Sequence, residues 1–343
     1  MSTARNDGPA TAVAAALLTG LRRTVTTTAA VCLLPVAAAA LPAVCVLTAP
    51  VSLVLRGRWR PVRICAFALL YLVVDLCGLV AAGAVWLRYA PGTRDASARR
   101  TAATYTLLDR LLRVLRRAAT PVFGLTLRVT PAIPRATQGA PLIVLARHAG
   151  PGDSFLLLHL LLAEAGLLPH TVLRRALRFD PCLDVIMGCL PHCFLPPRRG
   201  RTAPDAVGEL AGRLRGGDAL VLFPEGGNYT ERRHRRAVAS LRRNGRPRTA
   251  ARAARMRHVL PPRAAGTLAA LAAAPDADVV FVAHTGLDAI DSVRTAWAGI
   301  PLRAPVRAHW WRVPATGIPD GDGAREQWLL TQWQRVDQWI AGH

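Results

Sequence analysis

The hydrophobic pattern divides the chain into two regimes. Residues 24–55 run 32 positions without a charge, between Arg22–Arg23 and Arg56. Residues 64–87 form a second apolar run, between Arg63 and Arg88, interrupted only by Asp75. Both exceed the ~18 residues at which a membrane helix is considered. A polar leader precedes the first run and a second apolar run comes after it, so an uncleaved anchor is expected in place of a cleaved signal peptide. The connector "RGRWRPVR" carries four arginines, and the outer flanks are basic too. The positive-inside rule disfavours stranding that connector across a bilayer, and Pro35, Pro42 and Pro50 break up the first run. The preferred reading is a hairpin dipping into one leaflet; a two-span anchor is the alternative. Asp75 reads as a cap or as a group facing a helix partner.

Leu107, Leu108, Leu111, Leu112 and Leu115 then recur at helical spacing, interleaved with Arg110, Arg113, Arg116 and Arg117. That predicts a basic amphipathic helix, lying on an anionic surface or packing on the next domain. From about Val129 the period shortens. Strands are expected at 141–146, 171–173, 193–195, 219–223, 279–283 and 306–310, with helices at 155–166 and 204–214. The arginine-rich stretch 230–257 reads as helical and exposed. The expected layout is a leader over 1–23, membrane-embedded helices over 24–90, a connecting helix over 100–128 and an α/β domain over 129–343. The fold class is therefore α/β: a central, mostly parallel sheet flanked by helices, preceded by an apolar N-terminal helix pair.

Composition sharpens this. Hydrophobic residues are 52% and charged residues 19%, a balance that points to membrane contact. Net charge is +23, and all 44 basic residues are arginine. Such a surface is drawn to anionic lipid, nucleic acid or phosphorylated substrates, although uniform arginine usage lowers the weight of any single one. Aromatic residues are only 6% and no base-reading signature is present, which argues against nucleic acid. The seven scattered cysteines form no disulfide framework and fit a reducing, cytosolic setting. Cys182, Cys189, His192 and Cys193 lack a CxxC pair and read as ordinary thiols, not a metal site.

Two loops carry candidate chemistry. In "VLARHAGPGDSFLL" (144–157), His148 and Asp153 lie between a predicted strand and a predicted helix. Asp153 suits both a helix start and the holding of an imidazole tautomer. His148 then suits the removal of a proton from a hydroxyl. In "ALVLFPEGGNYTE" (219–231), a buried strand ends in Phe223-Pro224-Glu225-Gly226, a turn able to present backbone N–H groups and a carboxylate.

His148 and Asp153 in a His-x4-Asp pattern, with Phe-Pro-Glu-Gly later at 223–226, resemble the glycerolipid acyltransferases of the lysophosphatidic acid acyltransferase family. The stretch 173–201 is similar to that family's second block, with Arg198 (Arg199 in competition) at its arginine. "HVLPPRAAGTLAAL" is similar to the fourth block, through Pro262, Arg263 and Gly266. The long insertion between blocks and the ending "IPD…WL…D" resemble the lysocardiolipin acyltransferase branch. The resemblance covers about residues 100–340. It implies cofactor-free acyl transfer from acyl-CoA or acyl carrier protein to a lysophospholipid. His148 would be the base and Asp153 its partner, Arg198 and Arg263 the phosphate ligands, and Glu225 and Gly226 the contacts to glycerol and oxyanion. The membrane would be the cell membrane, with the catalytic domain on its cytoplasmic side. Arg147 and Ala149 depart from the family's usual neighbours of the histidine and are expected to select the lipid. A hydrolase using the same pair, acyl transfer to another lysolipid, and a non-catalytic anionic-membrane binder are the competing readings.

Overall fold

The computed structural model describes residues 9–54, 58–90, 94–132, 139–150, 152–195, 202–287 and 297–343. These fall into two compact units: residues 1–111 with 175–190, and residues 112–174 with 191–343.

The first unit is helical. Helix α1 (Pro9–Val54) starts inside the stretch expected as a leader and continues through Pro35, Pro42 and Pro50 without a break. Its 46 residues correspond to roughly 69 Å at the usual helical rise. Helix α2 (Arg60–Arg88) packs along α1. Both are long and apolar enough to cross a membrane, and Leu47, Val80 and Leu87 are more than 70% exposed. A third helix, α3 (Arg94–Phe123), begins here. Its Tyr105, Leu108 and Leu112 are buried while Arg110 and Arg117 stay exposed, so the apolar stripe packs against protein.

The short helix α5 (Pro181–Met187) belongs to this unit despite its position in the middle of the sequence. Pro181 has no N–H, so the first donors needing partners are those of Cys182 and Leu183. Asp180 caps Leu183 N–H at 2.7 Å, and Asp75 of α2 accepts Cys182 N–H at 3.2 Å. A carboxylate inside an apolar run is thus explained by a helix end it caps from across the unit. Gly78 makes the approach feasible, because a Cβ there would sit 2.6 Å from Cys182 Sγ and 2.9 Å from Leu111. On the α1 side, Asp184 is 4% exposed and receives Arg22 Nη2 at 2.9 Å and Arg23 Nε at 2.7 Å.

The second unit is built on a seven-stranded sheet. In chain order the strands are β1 (Leu127–Thr130), β2 (Leu142–Ala146), β3 (Leu168–Leu173), β4 (His192–Phe194), β5 (Asp218–Leu222), β6 (Asp278–Thr285) and β7 (Val306–Val313). Their order across the sheet is β1-β7-β6-β2-β5-β3-β4, and among the described residues only the β6–β7 pairing is antiparallel. β1, absent from the sequence reading, pairs in parallel with β7. Parallel central strands are buried on both faces, which is why β2 and β5 read as unbroken apolar runs. Alternation assigns their residues to two sides. Ile143, Leu145, Leu220, Leu222 and Phe281 meet α6 (Ala203–Ala211), α9 (Ala264–Ala273) and α10 (Asp322–Ala341) in the main core. The alternate residues Leu142, Val144, Val280 and Val282 face the opposite side, where α4 (Asp153–His159) and a π-helical turn (Leu160–Ala165) lie.

The segment 230–257 is helical, as expected, but in two pieces: α7 (Glu231–Arg243) and α8 (Pro247–Ala253). Gly245, at φ +71°, and Pro247 end one and start the other. Val238, Ala250 and Ala253 give the pair a small core of its own.

Candidate active site

Parallel pairing brings the two sequence motifs together. Leu145 of β2 lies beside Leu222 of β5, so three residues further along each strand His148 and Glu225 emerge at the same edge. Crevices at the carboxyl ends of such strands are where open α/β sheets bind ligands.

Asp153 opens α4, and Gly152 ahead of it takes φ +97°. The Asp153 carboxylate accepts from Ala149 N at 2.9 Å, Gly150 N at 3.2 Å and Ser154 N at 2.6 Å. Its Oδ2 also meets His148 Nδ1 at 2.9 Å. Burial alone would raise its pKa. The His148 hydrogen bond and charge, His284 and the Gly150 amide outweigh that and hold it below the ordinary carboxylate range. An ionised Asp153 therefore fixes Nδ1 as a donor and leaves Nε2 as the ring nitrogen free to act on a ligand. The imidazole is 18% exposed and lies against Phe223, with ring centroids 4.8 Å apart.

Glu225 is 2% exposed. Oε1 accepts His148 N–H at 3.0 Å and Oε2 accepts Leu260 N–H at 2.8 Å. The carboxylate expected to contact acceptor glycerol instead lies in the interior and fastens the His148 loop to the segment before α9. Burial pushes its pKa up to about 8, against the pull of those two amides and of Arg147. Gly226 N–H, expected to serve an oxyanion, closes the turn onto Phe223 O at 3.0 Å.

Arg147 is likewise buried, 2% exposed. Its guanidinium donates to His284 O at 2.6 Å and His258 O at 2.8 Å, tying the end of β2 to β6 and to the segment before α9. Ala149 is buried as well. Neither side chain faces a lipid, so the expectation that these two select the acceptor is not supported. The segment they depend on is braced by α10: Asp337 accepts His258 N–H at 2.7 Å, and Trp333 Nε1 donates to Leu260 O at 3.0 Å.

The exposed cations gather at the Gly226–Gly227 turn. Arg263 N–H bonds Pro224 O at 2.8 Å, and its guanidinium carbon would lie 3.1 Å from a Cβ on Gly226. Arg233 donates to Asn228 O at 3.1 Å, and Arg174 Nη2 lies 3.5 Å from Gly226 O. Arg198, the other expected phosphate ligand, lies outside the described residues. Arg174 and Arg233 were not singled out by the sequence, where they are two of 44 arginines. The usable signal was the position of Arg174 directly after β3, at the same sheet edge.

On the α4 side of the sheet, an apolar cavity of about 370 Å³ is lined among others by Val144, Leu157, Leu161, Val282 and Trp310, and reaches Gly139 and Gly217 at the amino ends of β2 and β5.

Residues 128–262 match the family model described as Acyltransferase. The fold is similar to the crystal structure of the 1-acyl-sn-glycerophosphate (LPA) acyltransferase PlsC from Thermotoga maritima. The TM-score is 0.52 at 15% identity, over 83% of this chain and 98% of that one. No curated protein matches the chain in sequence. Residues 128–262 thus match an acyltransferase domain, within a mostly parallel sheet of the PlsC-like type.

Proposed function

We propose that the protein moves a fatty acyl group from a thioester, acyl-CoA or acyl carrier protein, to the free hydroxyl of a lysophospholipid. Lysophosphatidic acid is the favoured acceptor, giving phosphatidic acid. The observation that carries this reading is the His148–Asp153 pair, joined at 2.9 Å and partly open at the carboxyl edge of the sheet.

His148 Nε2 takes the acceptor's hydroxyl proton as the oxygen attacks the thioester carbonyl. Asp153 stabilises the imidazolium that forms. The tetrahedral intermediate collapses, the carbon–sulfur bond breaks, and the imidazolium returns its proton to the leaving thiolate. Glu225 acts as a positioning residue through His148 N–H, not as a contact to substrate. Arg174, Arg233 and Arg263 offer guanidinium forks for a phosphate beside the dyad, with Arg198 retained as a further ligand. Gly226, by its positive φ and lack of a side chain, keeps Arg263 against the turn. The apolar cavity between β2 and α4 is suited to an acyl chain.

The exposed apolar surfaces of α1 and α2 support anchorage in the cell membrane. Their continuous lengths favour a full crossing over a hairpin confined to one leaflet, because a hydrocarbon core is only ~30 Å thick. The catalytic unit belongs on the cytoplasmic side, where thioester donors are made. A lysolipid in the leaflet and a soluble thioester then meet without extraction of the lipid into water.

The test is to incubate membranes carrying the protein with labelled acyl-CoA and a panel of lysolipids, then identify the product by mass. A labelled diacyl phospholipid that disappears in His148→Ala supports the proposal. Thioester consumption that is the same with and without lysolipid would make the enzyme a hydrolase and refute it.

A further inference from the structure

The turn between β3 and α5 is the one place in the middle of the sequence where the chain leaves the catalytic unit for the helical one. It is a single 3₁₀ turn, Arg175–Phe179, and none of its residues is buried. Phe179 is 69% exposed and Leu177 36% exposed. They alternate with cations: Arg175 stands before them and Arg178 between them, and Arg174 directly precedes the turn. Large apolar groups interleaved with arginine are the pattern of a segment lying at a bilayer interface.

The helix that this turn leads into supports the same occupant. α5 is fixed to both apolar helices through polar bonds at its N-cap and first turn. Asp180 receives the Tyr71 hydroxyl of α2 and caps Leu183 N–H, while Asp75 of α2 caps Cys182 N–H. In the first turn of α5, Asp184 is clamped by Arg22 and Arg23 of α1. These polar groups find their partners inside the unit, as polar groups held among membrane helices must. Phe179 and Leu177 therefore lie one residue and three residues ahead of Asp180, on an element anchored to helices whose own outer side chains are apolar and exposed.

We infer that residues 175–179 form a third bilayer-contacting element. Phe179 and Leu177 enter the boundary between headgroups and acyl chains, and Arg175 meets lipid phosphate. This rests on the reading of α1 and α2 as membrane helices. The occupant is lipid and not a protein partner because the turn continues the apolar exterior of those helices and carries the charge that anionic headgroups complement. Arg174, at the Gly226 turn, directly precedes Arg175 in the chain.

The experiment places a photoreactive benzoylphenylalanine at position 179 of the full chain, reconstituted in nanodiscs of phosphatidylcholine and phosphatidylglycerol. Position 47 on α1 and position 242 on α7 serve as references, all being exposed. The expected result is lipid adducts at 179 and 47 in comparable yield, and none at 242. Adducts at 47 but not at 179 would overturn this inference alone. Adducts at neither would overturn the membrane reading with it, and equal adducts at 242 would show unspecific labelling and overturn it too. As a second readout, Phe179→Asp is expected to raise KM about tenfold for a long-chain lysolipid presented in vesicles. KM for a short-chain, water-soluble lysolipid should be unchanged; an equal rise for both substrates contradicts the inference.

Discussion

Glu225 Oε1 accepts the backbone N–H of His148 at 3.0 Å, from a carboxylate that is 2% exposed. The proposed base is thereby held from behind by a buried group. Glu225→Gln supplies one acceptor oxygen where two N–H groups need partners, His148 and Leu260. Leaving one buried donor unpaired should cost about 1–3 kcal/mol in stability. The rate should fall with little change in the KM for lysolipid. Thermal unfolding and steady-state kinetics check this; a selective rise in KM would instead make Glu225 a substrate contact.

The same carboxyl predicts a pH slope. Its pKa is raised to about 8 by burial, so between the ordinary carboxylate value of ~4.3 and about 8 the folded state binds more protons than the unfolded one. Its contribution to stability is full below that window, falls as pH rises through it, and levels off above. Asp153 has the opposite sign: its lowered pKa contributes stability above the ordinary value of ~3.9, lost as pH falls through its folded value. Denaturant unfolding of the native chain and Glu225→Gln across pH 5–9 should show the alkaline decline only in the native chain.

Removing His148 should abolish transfer. Asp153→Asn should lower kcat by about 10²–10⁴-fold, since an amide neither fixes the imidazole tautomer nor stabilises its cation. Near-normal turnover in His148→Ala would end the proposed mechanism. Near-normal turnover in Asp153→Asn would remove only the orienting role.

Arg147 ties three segments together through two carbonyls and is buried with them. Arg147→Ala is expected to destabilise the fold by about 2–4 kcal/mol, because hydrogen bonds to a buried charge are lost and their carbonyls left bare. The ranking of lysolipid acceptors should stay as it was. Competition assays with mixed lysolipids measure that ranking, and a reordering would return Arg147 to substrate selection.

Asp75 caps α5 from α2. Asp75→Ala should release α5 and cost about 1–3 kcal/mol through the orphaned Cys182 N–H. Protease sensitivity near residues 175–190 in detergent should increase, with α2 itself intact. Unchanged protection would mean that the Arg22 and Arg23 contacts suffice to hold α5.

How much of this was legible differs by residue. The strands at 141–146 and 219–223 were evident, because a parallel strand buried on both faces must be apolar at every position. β1 was not evident: Leu127–Thr130 is short, alternates between half-buried and exposed residues, and exists only because β7 lies beside it. The amphipathic stripe at 107–115 was clear as a helix. Whether it meets lipid or protein depends on what packs on it.

The His148–Asp153 pair was determined by the sequence itself, since five residues in one strand-to-helix loop close a local hydrogen bond whatever surrounds them. The apolar runs of α1 and α2 were determined in the same way, by composition over a length no distant contact alters. Only the tertiary structure decided that Glu225 and Arg147 point inward, that Arg174 and Arg233 join Arg263 at one turn, and that Asp75 caps a helix a hundred residues away in the chain. Those outcomes arise from parallel crossovers and from burial, and burial is a property of every neighbour at once, which no single stretch of sequence contains.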